Sequence, residues 1–140
     1  MELCEGGDLF CKIKSQKTFS EVKVANIMKQ ILSGVVYLHN NNIVHRDLKP
    51  ENMLYDNEGK TIKITDFGTA IELQPGKKLG LVVGSPFYIA PEVIMGCYTE
   101  KCDVWSCGII LYILLCGCPP FMGHREEDIM AKIRNDPVKF

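Results

Sequence analysis

The sequence predicts an α+β domain that is mainly α-helical and carries one small β-hairpin. Three patterns predict it: apolar residues at helical spacing behind Ser20, a hairpin signal between residues 53 and 64, and an unbroken apolar run at residues 107–118 (CGIILYILLCGC). The chain has 140 residues, 46% of them hydrophobic and 24% charged, the composition of a folded domain with room for one core.

Taken in order, Gly6-Gly7 reads as a turn and Ser20 as a helix N-cap, with Glu21 in the first turn and Phe19 placed to staple against Val24. Ile27, Met28, Ile31, Leu32, Val35 and Leu38 continue that helix until Asn40-Asn41-Asn42 stops it. Ile43-Val44 is strand-like. Residues 45–52 are polar and contain Pro50, which excludes an ordinary helix interior, so they form a loop. Met53-Leu54-Tyr55 and Thr61-Ile62-Lys63-Ile64 flank the turn formers Asp56-Asn57-Glu58-Gly59-Lys60 and pair as a hairpin. Residues 69–91 hold Gly76, Gly80, Gly84, Pro75 and Pro86 without periodicity; such a long irregular segment inside a compact domain is usually functional. The apolar helix opens near residues 101–103 and runs to Cys118 before Pro119-Pro120. Being hydrophobic nearly all round, it is expected at the centre of the core. A last amphipathic helix from Glu126 places Ile129, Met130 and Ile133 on one face and ends at Asn135-Asp136-Pro137.

Sixteen Lys+Arg against seventeen Asp+Glu leave a net charge of -1, which argues against nucleic acid or an anionic membrane as a partner. The apolar run falls short of the about 20 residues that a bilayer requires. Met1-Glu2-Leu3-Cys4 is acidic, unlike a secretory signal, and the expected setting is cytoplasmic. The seven cysteines are odd in number and form no C-x-x-C pair, and His39, His45 and His124 complete no zinc spacing. Reduced, mostly buried thiols are expected.

The chemistry concentrates in His45-Arg46-Asp47-Leu48-Lys49-Pro50-Glu51-Asn52, followed by Asp66-Phe67-Gly68 and then Ala90-Pro91-Glu92. In order and composition these strings resemble the motifs of a protein kinase. Lys49-Pro50-Glu51 resembles the serine/threonine rather than the tyrosine kinases. The KQILSGVVYLH string of the first predicted helix, Tyr88-Ile89-Ala90-Pro91-Glu92-Val93 and residues 103–121 (DVWSCGIILYILLCGCPPF) are similar to the calcium/calmodulin-dependent group, and most of all to calcium-dependent protein kinases. The likeness covers essentially the whole chain.

Phosphoryl transfer to a hydroxyl requires the acceptor to be oriented, its proton taken late and the phosphate charge neutralised. The resemblance implies Asp47 for the acceptor hydroxyl, Lys49 against the transferring group, and Asn52 and Asp66 as oxygen ligands for Mg²⁺. It also implies an ATP site in which Met1 is the gatekeeper, Glu2 and Cys4 offer backbone groups to adenine, Asp8 reaches the ribose or a basic substrate residue, and Leu54 floors the adenine pocket. Glu51, with Asp8, would favour a protein substrate carrying Arg or Lys before the acceptor. Phe67 and His45 resemble members of the hydrophobic column of the active state, Asp103 the residue that pins the catalytic loop's backbone, and Ser85 a hydroxyl kept near Asp47.

By the same resemblance the fold is the C-terminal lobe of a kinase, a partial domain running over residues 1–140 from the lobe connector to the helix after Pro119-Pro120-Phe121. The family's Gly-rich loop, its phosphate-pairing Lys and that lysine's Glu partner belong to an N-terminal lobe and are not among these residues; neither is the Arg partner of Glu92. The chain is therefore expected to act within a larger ATP-dependent serine/threonine kinase and to be inactive alone, the alternative being a non-catalytic half-kinase that binds proteins. Apolar surface is expected near Met1, Leu54 and Ile129. Thr69 is the one hydroxyl between Phe67 and Gly84, so a phosphosite in that segment is not expected. Asp56-Asn57-Glu58-Gly59 lacks EF-hand spacing, which assigns any regulatory calcium-binding region to sequence outside these residues.

Overall fold

A computed structural model describes residues 4–16 and 19–139. Helices α1 (Leu9–Gln16) and α2 (Glu21–Asn40) lead into strand β1 (Ile43–Val44). The hairpin strands β2 (Met53–Tyr55) and β3 (Ile62–Ile64) follow, then strand β4 (Ile71–Glu72). Helices α3 (Pro91–Ile94), α4 (Lys101–Cys116) and α5 (Glu126–Asn135) complete the chain.

Local chemistry explains most of the boundaries. Ser20 Oγ accepts the Lys23 amide at 3.4 Å, and Phe19 and Val24 are buried in one core. Helix α2 stops where the Asn41 amide turns back to the Leu38 carbonyl and Asn42 takes a left-handed φ of 58°, which Asn tolerates better than most residues. Helix α4 ends at Cys116, two residues before the expected Cys118, and Gly117 caps it at φ 77°. Ile31 of α2 and Ile110 and Leu114 of α4 are fully buried in one core, and burying each such side chain is worth about 1.5–3 kcal/mol.

Several expectations are corrected. Helix α1 was not foreseen, because its buried face consists of Leu9 and Ile13 alone. Strand β4 lies in the stretch expected to be irregular throughout; it pairs antiparallel with β1, Ile43 opposite Glu72 and Val44 opposite Ile71, a ladder too short to leave a periodic signal. Helix α3, one turn opened by Pro91, interrupts the far end of that stretch. Helix α4 is not enclosed all round: Val104, Leu111 and Leu115 are exposed. Ile129 is buried rather than exposed, because α5 folds its apolar stripe inward. Of the cysteines only Cys102 and Cys107 are buried; Cys11, Cys97, Cys116 and Cys118 are exposed and Cys4 is half-buried, several of them at helix ends and turns. All seven are free thiols, and burial, helped by the Asp103 charge, pushes the Cys107 thiol up to about 12. Among the described residues no helix is long and apolar enough to cross a membrane.

The core sets the loop of residues 45–52 through Asp103, on the first turn of α4 and wholly buried. Its carboxylate accepts the amides of His45 (2.9 Å) and Arg46 (2.8 Å), and His39 Nε2 lies 2.9 Å from Oδ2. Asp103→Ala strands those groups and is expected to cost roughly 3–5 kcal/mol in urea unfolding, with faster amide exchange at His45 and Arg46; Asp103→Asn, which keeps one acceptor, is expected to cost less.

Candidate active site

The catalytic loop runs from β1 to β2. Pro50–Asn52 form a 3-10 turn at its end, where Pro50 opens the turn and its missing amide is no loss. Two side-chain bonds stiffen the loop from within. Asn52 Nδ2 donates to the Asp47 carbonyl at 2.8 Å, and the Asp47 amide donates to His45 Nδ1 at 3.3 Å. With His45 Nε2 3.0 Å from the Thr65 carbonyl, the Nε2–H tautomer satisfies both contacts. The ring of Phe67 meets His45 edge to face, centroids 5.0 Å apart, which places together the pair singled out from the sequence.

At the centre, Lys49 Nζ donates to Asp47 Oδ2 at 2.8 Å and to Ser85 Oγ at 2.9 Å. Ser85 donates to Asp47 Oδ1 twice, from Oγ at 2.7 Å and from its amide at 3.0 Å. Burial pushes the Asp47 carboxyl up, but the hydrogen bonds from Lys49 and Ser85, together with the Lys49 charge, outweigh it and hold the group below the ordinary 3.8. Ser85 can approach this closely because Gly84 precedes it: φ is 110°, and a Cβ there would stand 2.7 Å from the Arg46 carbonyl.

Glu51 is exposed, and its charge, after burial and together with that of Asp47, raises the Tyr88 phenol. The Thr65 amide donates to the Asn52 carbonyl at 3.0 Å, which sets Asp66 one residue beyond the Asn52 backbone. Asp66 takes a left-handed φ of 62° and is exposed, its carboxylate accepting the Gly68 amide at 3.3 Å. With Asn52 Nδ2 committed to Asp47, the amide oxygen of Asn52 and the carboxylate of Asp66, on adjoining segments, are hard-oxygen donors of the chemical type that magnesium takes.

The connector lies against the hairpin. Gly6 donates to Tyr55 O at 3.2 Å, Tyr55 donates to Gly7 O at 2.8 Å, and Asp8 bridges to Leu54. This register sets Asp8 opposite half-buried Leu54 and carries half-buried Cys4 toward the hairpin turn, where the Glu5 amide donates to Asn57 Oδ1 at 2.8 Å. Asp8 caps α1, its Oδ1 accepting the Cys11 amide at 2.6 Å, a structural task that sequence reasoning missed although Asp is a common N-cap. Met1 and Glu2 lie outside the described residues. Sequence reasoning also missed Tyr98, whose hydroxyl reaches the Leu81 carbonyl, and a lone Tyr between turn residues offers no signal.

The close approach at Gly84, the Lys49 bridge between carboxylate and hydroxyl, and the carboxylate-held loop followed by Asp66-Phe67-Gly68 meet at one place in the fold. The chain belongs to the protein kinase family, whose protein kinase domain matches residues 1–140. Among its relatives, it is 51% identical over 99% of its length to a calcium-dependent protein kinase 4 of Plasmodium berghei, and 55% identical over 96% to that of Plasmodium falciparum. It is 47% identical over its whole length to a calcium-dependent protein kinase 21 of Oryza sativa. The chain spans about a quarter of the length of these curated relatives, the shares being 27%, 26% and 25%.

The carboxylate at the centre titrates with a definite sign. Because the Asp47 pKa is depressed on folding, the stability it contributes is present above the ordinary value of 3.8 and is lost as pH falls through its lower folded value. Ser85→Ala and Lys49→Met are each expected to raise the Asp47 midpoint in carboxylate ¹³C titrations and to make the urea midpoint less sensitive to pH below about 4.

Proposed function

We propose that this chain is the substrate-binding and catalytic-loop portion of a larger serine/threonine kinase that transfers the γ-phosphoryl group of ATP to protein hydroxyls with Mg²⁺. One observation carries the reading: Asp47 and Lys49 already hold a serine hydroxyl between them, that of Ser85, with a carboxylate oxygen at 2.7 Å and an ammonium at 2.9 Å. An acceptor hydroxyl on a protein substrate requires the same two contacts, a carboxylate to orient the O–H and take its proton late, and a cation beside the oxygen that receives the phosphoryl group.

Asn52 and Asp66 would hold the magnesium ion, which when bound supplies charge neutralisation on the phosphates. The chain's own residues do the rest. Asp47 stays ionised through Lys49 and Ser85, Asn52 fixes the Asp47 carbonyl, and Asp103 fixes the backbone before it. Cys4, Asp8 and Leu54, beside the hairpin, are assigned to the nucleotide edge, with Met1 and Glu2 preceding them. Exposed Glu51 is the carboxylate for a basic residue ahead of the acceptor. Calcium control through a region outside these residues and a cytoplasmic setting belong to the same proposal, the first supported by the relatives' names.

In the kinase that contains this chain, Asp47→Asn is expected to lower phosphoryl transfer by roughly 10²–10⁴ while nucleotide binding persists. Turnover close to that of the parent enzyme would remove Asp47 from the role assigned to it.

A further inference from the structure

Residues 79–81 are tied to the loop at Arg46 through one buried tyrosine. Tyr98, 2% exposed, pairs with Leu79 through both backbone bonds, at 2.8 and 3.1 Å. Its hydroxyl donates to the Leu81 carbonyl at 2.6 Å and faces Arg46 Nη1 at 3.4 Å. Arg46 Nε in turn donates to the Thr69 carbonyl at 2.6 Å, and Thr69 Oγ1 to the His45 carbonyl at 3.0 Å. The beginning and the middle of the segment that follows Asp66-Phe67-Gly68 are therefore tied to one arginine through neutral oxygens. Three residues past Leu81, Gly84 seats on the Arg46 carbonyl and Ser85 closes onto Asp47.

Kinase activation loops can be ordered by a phosphate that pairs with arginine. Here Thr69 is the only hydroxyl between Phe67 and Gly84, and it is already spent on His45. Leu81 and Val82 are themselves exposed, so their side chains supply little burial to hold the segment, and the hydrogen bonds to Tyr98 carry that task.

We infer that Tyr98 is a positioning residue: its hydroxyl and backbone clamp residues 79–81 beside Arg46 and thereby set Gly84 and Ser85 against the catalytic carboxylate. The inference rests on the kinase reading only for the meaning of Asp47, since the geometry stands without it. Tyr98→Phe removes the hydroxyl and keeps the buried ring. The clamp requires amide exchange at residues 81–85 to quicken about tenfold, as loss of one hydrogen bond would cause. Tyr112→Phe, which loses a bond to the Lys139 carbonyl, is the control and is expected to leave exchange at residues 81–85 where it was. A Tyr98→Phe chain that is merely less stable in urea, with the amide exchange of the parent at residues 81–85, would overturn the clamp. The parent chain gives a second readout that depends on no variant. Slow exchange of the Tyr98 hydroxyl proton, seen as an isotope splitting of its Cζ signal in mixed H₂O/D₂O, supports the bond to Leu81, and a single averaged line refutes it. Neither readout involves turnover, so failure of the clamp and failure of the kinase reading appear in separate experiments.

Discussion

The carboxylate of Asp103, with no exposure to solvent, accepts two successive backbone amides of the catalytic loop, and that convergence shapes the rest of the site. In the extended backbone of β1 successive amides would point to opposite sides; here two converge on one carboxylate as the chain leaves the strand, and Arg46 takes φ 69°. A left-handed conformation costs a non-glycine residue about 1–2 kcal/mol. Charge-assisted hydrogen bonds worth roughly 1.5–3 kcal/mol each offset it. The strain is thus held in place by a side chain on α4, the helix that packs into the core against α2.

Two very short sheets then fix the ends of the loop. Strand β1 enters it paired with β4, and β2 leaves it paired with β3 and flanked by the connector at Gly6, Gly7 and Asp8. Neither sheet would be stable alone, since a two-stranded ribbon is marginal in water. Their function is registration. Each pairs the loop's flank with a segment that carries chemistry: β3 leads directly to Asp66, and β4 continues from Phe67 and Thr69. Functional residues sit on loops while the elements beneath them supply the rigidity.

What was legible in the sequence follows from the range of each interaction. Helix α2, its Ser20 cap and its Asn terminus, the hairpin and the start of α5 are local and periodic, and residue spacing shows them directly. The β1–β4 ladder depends on residues nearly thirty apart meeting over two positions, and no window of sequence contains that. Helix α4 misled for a different reason: it is apolar on both faces, so periodicity could identify the helix but not the side left uncovered at Val104, Leu111 and Leu115. At the site, the proximity of Ser85 to Asp47 and the anchoring by Asp103 came through resemblance, and the fold brings those residues together. Asp8 as a helix cap and Tyr98 as a tie to Leu81 were hidden because each is defined by what it touches rather than by its neighbours in the chain.

The charge on Asp47 and the docking of residues 84–85 are one linked property. Burial by itself would favour the protonated acid, and the hydrogen bonds that reverse this come from Lys49 and from Ser85. Ser85 supplies two of the contacts and belongs to the segment, not to the catalytic loop. Undocking the segment therefore removes two donors from the carboxylate and leaves Lys49 with one partner in place of two. Linkage makes the relation reciprocal: whatever docks Ser85 favours the ionised carboxylate, and ionisation of Asp47 favours the docked segment. In the role proposed for Asp47, the group that would accept a proton late in the reaction is thus held in its charged form by the same contacts that assemble the surface beside it.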